Sequence, residues 1–103
     1  MEKELFASNE ELEDRVLHRL QNYVNGRLKK LDGEEIEISA SGGDGSYYEL
    51  WHVKDITVLT YNNLGNLIEV VAYGDKKKIE SLERKLSLKE FAKKTLLEKL
   101  GGE

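Results

Sequence analysis

Hydrophobic positions along the chain change period twice. Between residues 12 and 31 apolar residues recur every three or four positions, at Leu12, Val16, Leu20, Tyr23/Val24 and Leu28/Leu31, which is a helical period. Ser8 and Glu11 fit a Ser-x-x-Glu capping box, and Glu10, Glu11, Glu13 and Asp14 crowd the first turn, where the helix dipole favours carboxylates. The pattern predicts a long amphipathic helix over about residues 9–31, stopped by Asp32-Gly33, with Leu5 and Phe6 stapled over its start. Gly26 costs such a helix about 1 kcal/mol against alanine, so it marks either a kink or a close approach of a strand.

From residue 34 to 73 the period falls to two. Residues 34–40 place Ile36, Ile38 and Ala40 on one side and Glu35, Glu37 and Ser39 on the other, the pattern of a strand with one buried and one wet face. Residues 41–46, Ser-Gly-Gly-Asp-Gly-Ser, form a loop. Residues 47–61 have strand-type content throughout, and Lys54-Asp55 is their only polar pair. Without Gly, Asn or Pro, a tight turn there is not expected, so the stretch reads as one long strand bent or bulged at that pair. An asparagine- and glycine-rich loop at 62–66 leads to a strand at 67–73. Ile68, Val70 and Ala72 share one of its faces. The other carries Leu67, Glu69, Val71 and Tyr73, too apolar for a fully wet surface.

After Gly74-Asp75 the period lengthens again. Ile79, Leu82 and Leu86 fit a helix over 76–86, with a lysine-protected edge strand as the alternative. Ser87 and Glu90 repeat the capping box before the stripe Leu88, Phe91, Ala92, Leu96 and Leu100, closed by Gly101-Gly102. The expected fold is a single α+β domain over residues 1–103. A long N-terminal helix packs on a three- to four-stranded antiparallel meander, and one or two C-terminal helices follow, an order α-β-β-β-α-α.

Composition narrows the function classes. The chain has no cysteine, which excludes disulfides, thiolate nucleophiles and Cys-ligated metals and points to a reducing, cytoplasmic setting. No apolar run approaches the 18 or so residues that span a membrane, and no signal-peptide pattern opens the chain. Charged residues make up 35% with a single Gln, a thermophile-like balance that six asparagines and the lack of proline oppose. The net charge of −4 is unevenly placed: residues 1–73 carry 7 Lys/Arg against 14 Asp/Glu, and residues 74–100 carry 9 against 5. The acidic part disfavours nucleic acid.

Candidate chemistry is sparse. The glycine loop at 41–46 lacks the lysine and the following helix of a phosphate loop, and Asp44 would repel an anion. His18 and His52 have no metal-type neighbour at ligating spacing. No catalytic residue, metal or cofactor is assigned. The aromatic set and the apolar second face of the strands point instead to contact surfaces, and the candidate binding residues are Trp51, His52, Tyr61, Leu67, Val71 and Tyr73. The leading expectation is a non-enzymatic interaction module that self-associates as a homodimer through its sheet face or binds another protein. One version is a small acidic inhibitor of the build common among viral proteins. Two alternatives stand beside it. One is a small enzyme or ligand-binding domain with a pocket near His52, where His52 meets Glu49, Glu69 or Tyr61 across strands. The other is a weak nucleic-acid binder using Lys76, Lys77, Lys78, Lys85, Lys89, Lys93 and Lys94.

Overall fold

The computed structural model describes residues 1–8, 10–40, 47–62 and 67–101. Asn9, the loops at 41–46 and 63–66, and the terminal Gly102 and Glu103 lie outside the described residues. The fold is α+β, but the order is corrected to β-α-β-β-β-β-α-α: β1 (Glu2–Ala7), α1 (Asp14–Lys30), β2 (Glu34–Ala40), β3 (Tyr47–Val53), β4 (Ile56–Asn62), β5 (Ile68–Tyr73), α2 (Lys76–Leu86) and α3 (Leu88–Gly101). The strands form one antiparallel sheet in the order β1-β5-β4-β3-β2.

Three expectations fail for identifiable reasons. The segment read as a helix staple is a strand: Glu2 to Ala7 pair with β5, and the register slips between Glu4 and Phe6. That bulge breaks the alternation that would have marked β1. Helix α1 starts at Asp14 rather than near residue 9, and its N-cap, Glu13, makes no side-chain cap bond. Ser8, read as the cap, instead accepts a 2.9 Å hydrogen bond from the Ile68 amide through its Oγ, so it fastens β1 to β5. Residues 47–61 are two strands and not one. Val53 registers opposite Ile56, which leaves only Lys54 and Asp55 in the turn, and Lys54 takes φ 54°. A lysine in the left-handed region is uncommon, so the sequence carries none of the usual hairpin signal.

One face of the sheet carries the core. Trp51 and Val53 of β3, Ile56 and Val58 of β4, and Ile68, Val70 and Ala72 of β5 share that face by register. They join one buried cluster with Leu20, Val24 and Leu28 of α1, Ile79, Leu82 and Leu86 of α2, and Leu88 and Ala92 of α3. Polar ties hold the helices to each other. The Tyr23 hydroxyl donates to the Leu86 carbonyl at 2.6 Å, and the Arg27 guanidinium to the Lys85 carbonyl at 2.7 Å, which satisfies carbonyls that the end of α2 leaves without a helical partner. Tyr23 and Phe91 stack with centroids 3.8 Å apart. Lys3 of β1 donates to Glu83 of α2 at 2.7 Å.

The stop of α1 lies where the sequence puts it. Asp32 takes φ 64° and the Gly33 amide donates to the Leu28 carbonyl. A Cβ at Gly33 would sit 2.7 Å from that oxygen and 2.9 Å from Val53 Cγ2. Gly26 is different: it is exposed within α1, and a Cβ there meets nothing within 4 Å. Close approach of a strand therefore does not explain it. Gly26→Ala is expected to stabilise the protein by about 0.4–1 kcal/mol, and Gly33→Ala to destabilise it. Urea unfolding of both variants checks the pair of signs.

Candidate functional site

The registers of the five strands lay out the second face of the sheet residue by residue. Its middle row runs Glu4, Val71, Leu59, Leu50, Glu37 from β1 to β2. The row on one side is Glu2, Tyr73, Thr57, His52, Glu34, and the row on the other is Ala7, Glu69, Tyr61, Tyr48, Ser39. Apolar and aromatic side chains thus occupy the three central strands, and carboxylates stand on both outer ones. Leu50, Leu59 and Val71 do not belong to the helix-side core. Among the described residues no helix of the core cluster is packed over them, yet neighbours on the face leave Leu50 and Leu59 half-buried and Val71 only 5% exposed. Tyr61 is 39% and Tyr73 37% exposed. The grid holds five glutamates and neither lysine nor arginine, and the Tyr48 hydroxyl donates to Glu37 at 3.2 Å.

Of the candidate residues, His52, Tyr61, Val71 and Tyr73 lie on this face. Leu67 precedes β5 and lines a hollow of about 130 Å³ with Ala7, Ser8 and Tyr61 at the face's corner. Trp51 lies on the other side, 1% exposed in the core, so Trp51, His52 and Tyr61 do not line a common pocket. Parity along the sequence puts Tyr48, Leu50 and His52 on one face of their strand, but of these only His52 is a candidate. Sequence reasoning missed Tyr48, Leu50 and Leu59 as binding residues, and the glutamates as the rim. The register that groups them depends on the Lys54-Asp55 turn.

On the helix side, one end of the sheet is polar. The Trp51 indole donates to Glu49 at 3.3 Å. Beside them in register stand Thr60 and Asn62, 1% and 2% exposed. Among the described residues, the Thr60 hydroxyl and both amide atoms of Asn62 have no hydrogen-bond partner, an arrangement that costs about 1–3 kcal/mol for each such group. Two clefts among the described residues are small. One of about 210 Å³ lies against the α2–α3 corner. Another, of about 190 Å³, lies between Lys54, Asp55, Lys78 and Lys85. Both fall below the usual 300–1,000 Å³ or so of small-molecule sites.

Across the second cleft, the Lys78 ammonium hydrogen-bonds to Asp55 and holds its carboxyl below the usual range, while the same bond raises Lys78. Both groups are exposed, so the pair contributes little to stability. What it contributes is present above the ordinary carboxylate range and is lost as pH falls through the lowered Asp55 value. At the alkaline end it is lost as pH rises through the raised Lys78 value. Among the described residues, no group of three His, Cys, Asp or Glu is placed to hold a metal, and no helix is long and apolar enough to cross a membrane.

Compared with models of known families, with curated proteins and with solved structures, the chain matches none. The site therefore rests on geometry alone. Thr60→Val keeps the shape and removes the unpartnered hydroxyl. It is expected to raise stability by about 1 kcal/mol, a Tm increase of roughly 4–8 °C. A fall in Tm on thermal unfolding would mean that the hydroxyl is bonded in solution.

Proposed function

We propose that the protein is a non-enzymatic interaction module whose working surface is the helix-free face of its sheet. The observation that carries this reading is the helix-free row Val71, Leu59, Leu50, three apolar residues side by side on the central strands, of which Leu50 and Leu59 are half-buried and Val71 is buried by its neighbours. Around it the face exposes Tyr61 and Tyr73, 39% and 37%, and apolar surface joined in this way on one sheet face supports a contact site. The edges support the choice of face. Both outer strands carry a bulge, between Glu4 and Phe6 and between Glu35 and Glu37. Both also carry glutamates, devices that discourage strand addition. Two copies meeting face to face would bring five glutamates on each against the other's five, which weighs against a symmetric homodimer and in favour of a different protein.

A second reading has one observation behind it. The unpartnered Thr60 and Asn62 beside buried Glu49 favour a small polar ligand taken up between α1 and the sheet, and the Thr60→Val measurement bears on it directly. Nucleic-acid binding has weaker support, because Lys78 is tied to Asp55 and Lys89 lies 3.9 Å from Glu83.

The test uses Leu59→Asp, which places a charge in the middle of the apolar row at a half-buried position. Wild-type protein immobilised in a lysate of its native host is expected to retain at least one protein that Leu59→Asp does not, with sedimentation velocity run in parallel to detect self-association. Identical retained sets together with identical sedimentation for the two proteins would overturn the reading.

A further inference from the structure

The helix-free face has a shape and a charge that select its occupant. Its apolar stripe covers β3, β4 and β5. With neighbouring strands about 4.8 Å apart, the stripe is about 10 Å wide, the width of one α-helix. Three rows two residues apart give it a length of about 13 Å, the rise of about nine helical residues. Carboxylates flank the stripe on both sides, Glu2 and Glu4 on β1 and Glu34 and Glu37 on β2. None of these four is ion-paired among the described residues. At the corner, the hollow beside Ala7, Tyr61 and Leu67 would take one large anchoring side chain.

We infer that this face seats a basic amphipathic helix of a partner protein, an inference that rests on the face being the working surface proposed above. The helix lies along the strands, with its apolar residues at i, i+4 and i+7 over the three successive rows and the middle one over Val71, Leu59 and Leu50. Lysines or arginines on its two flanks reach the carboxylates of β1 and β2. Docking it completes a helix–sheet–helix sandwich and buries the apolar and aromatic side chains of this face. The same charges select against other occupants. An anionic membrane surface and a nucleic-acid backbone are both repelled by the rim, and so is a second copy presenting the same face.

Fluorescence anisotropy with a labelled probe peptide tests this. The probe is a helical 14-residue peptide with leucines at i, i+4 and i+7 and lysines on both flanks. A scrambled peptide of the same composition is the control. Wild-type protein is expected to bind the probe at least tenfold more tightly than the scramble, with affinity falling steeply as salt rises. Leu59→Asp makes the protein more acidic, so attraction of charge alone would strengthen binding, whereas seating on the stripe predicts a loss of tenfold or more. Glu4→Gln/Glu37→Gln, which leaves the core untouched, is expected to weaken binding severalfold, and Glu10→Gln/Glu11→Gln to leave it unchanged.

Equal binding of probe and scramble, or undiminished binding by Leu59→Asp, overturns the inference. If the probe fails but Leu59→Asp abolishes a self-association seen by sedimentation, the face stands as a contact surface and the basic helix falls. If Leu59→Asp changes neither, both readings fall.

Discussion

The burial of the α1 stripe, Leu20, Val24 and Leu28, in one cluster with Trp51, Val58 and Val70 sets the terms for the rest of the molecule. The chain starts on one edge of the sheet with β1. It then crosses by α1 to the opposite edge and returns strand by strand through β2, β3, β4 and β5 to lie beside β1. At that point α2 and α3 must hide their own apolar faces, and the half of the sheet that α1 leaves open is on the same side. Lys3 to Glu83, Tyr23 to Leu86 and Phe91 against Tyr23 hold them there. All three helices are spent on one face. The second face keeps an apolar row that nothing in the described chain can cover, because no element remains to cover it.

The edges and the open face follow opposite rules. A sheet edge offers unpaired backbone groups to any extended chain, and here both edges are bulged and lined with glutamate. The open face offers side chains, and its middle row on β5, β4 and β3 is apolar, with Glu69 the one carboxylate of the grid on a central strand. Guarding the edges while leaving the centre bare channels association towards side-chain docking from above. The remaining glutamates serve both purposes, since they stand on the outer strands and therefore also form the rim of the face.

Much of the helical part of this fold was legible in the sequence. The α1 stripe, its stop at Asp32-Gly33 and the spacing of Ile79, Leu82 and Leu86 all arise from local periodicity, which tertiary contacts here reinforce. The strands at 34–40 and 68–73 were legible from alternation, but on the edge strand β2 the expected buried face fails: Ile36 and Ile38 are 58% and 60% exposed. β1 was hidden by its bulge at Leu5, and the β3–β4 turn by a lysine in a left-handed conformation that Asp55 and Ile56 do not announce. Ser8 followed by Glu11 matched a helix cap, yet the Ser8 hydroxyl serves the sheet, because β1 pairs with β5 sixty residues away. The candidate face depended on the same hidden turn. Parity along β3 correctly grouped Tyr48, Leu50 and His52, and separated them from Trp51. Only the two-residue turn adds Leu59 and Tyr61 beside them. His52, Tyr61, Val71 and Tyr73 were visible as apolar or aromatic residues at surface parity, whereas the rim could be seen only once β1 and β2 were known to be the edges.

The uneven charge along the chain acquires a spatial meaning from this topology. Helix α1 carries five cations and one carboxylate, and α2 and α3 belong to the basic segment, whereas the strands are acidic. Folding the helices onto one side therefore separates charge across the thickness of the molecule, positive on the helix side and negative on the open face. Only a few contacts cancel it internally, among them Lys3 with Glu83 and Lys78 with Asp55. On the proposed reading, two copies would be complementary only back to front, an arrangement that does not close into a defined dimer, and face to face they would repel. A cationic partner has neither problem: the long-range field turns the acidic face towards it before contact. The apolar row then decides, at short range, whether what has arrived has a matching stripe.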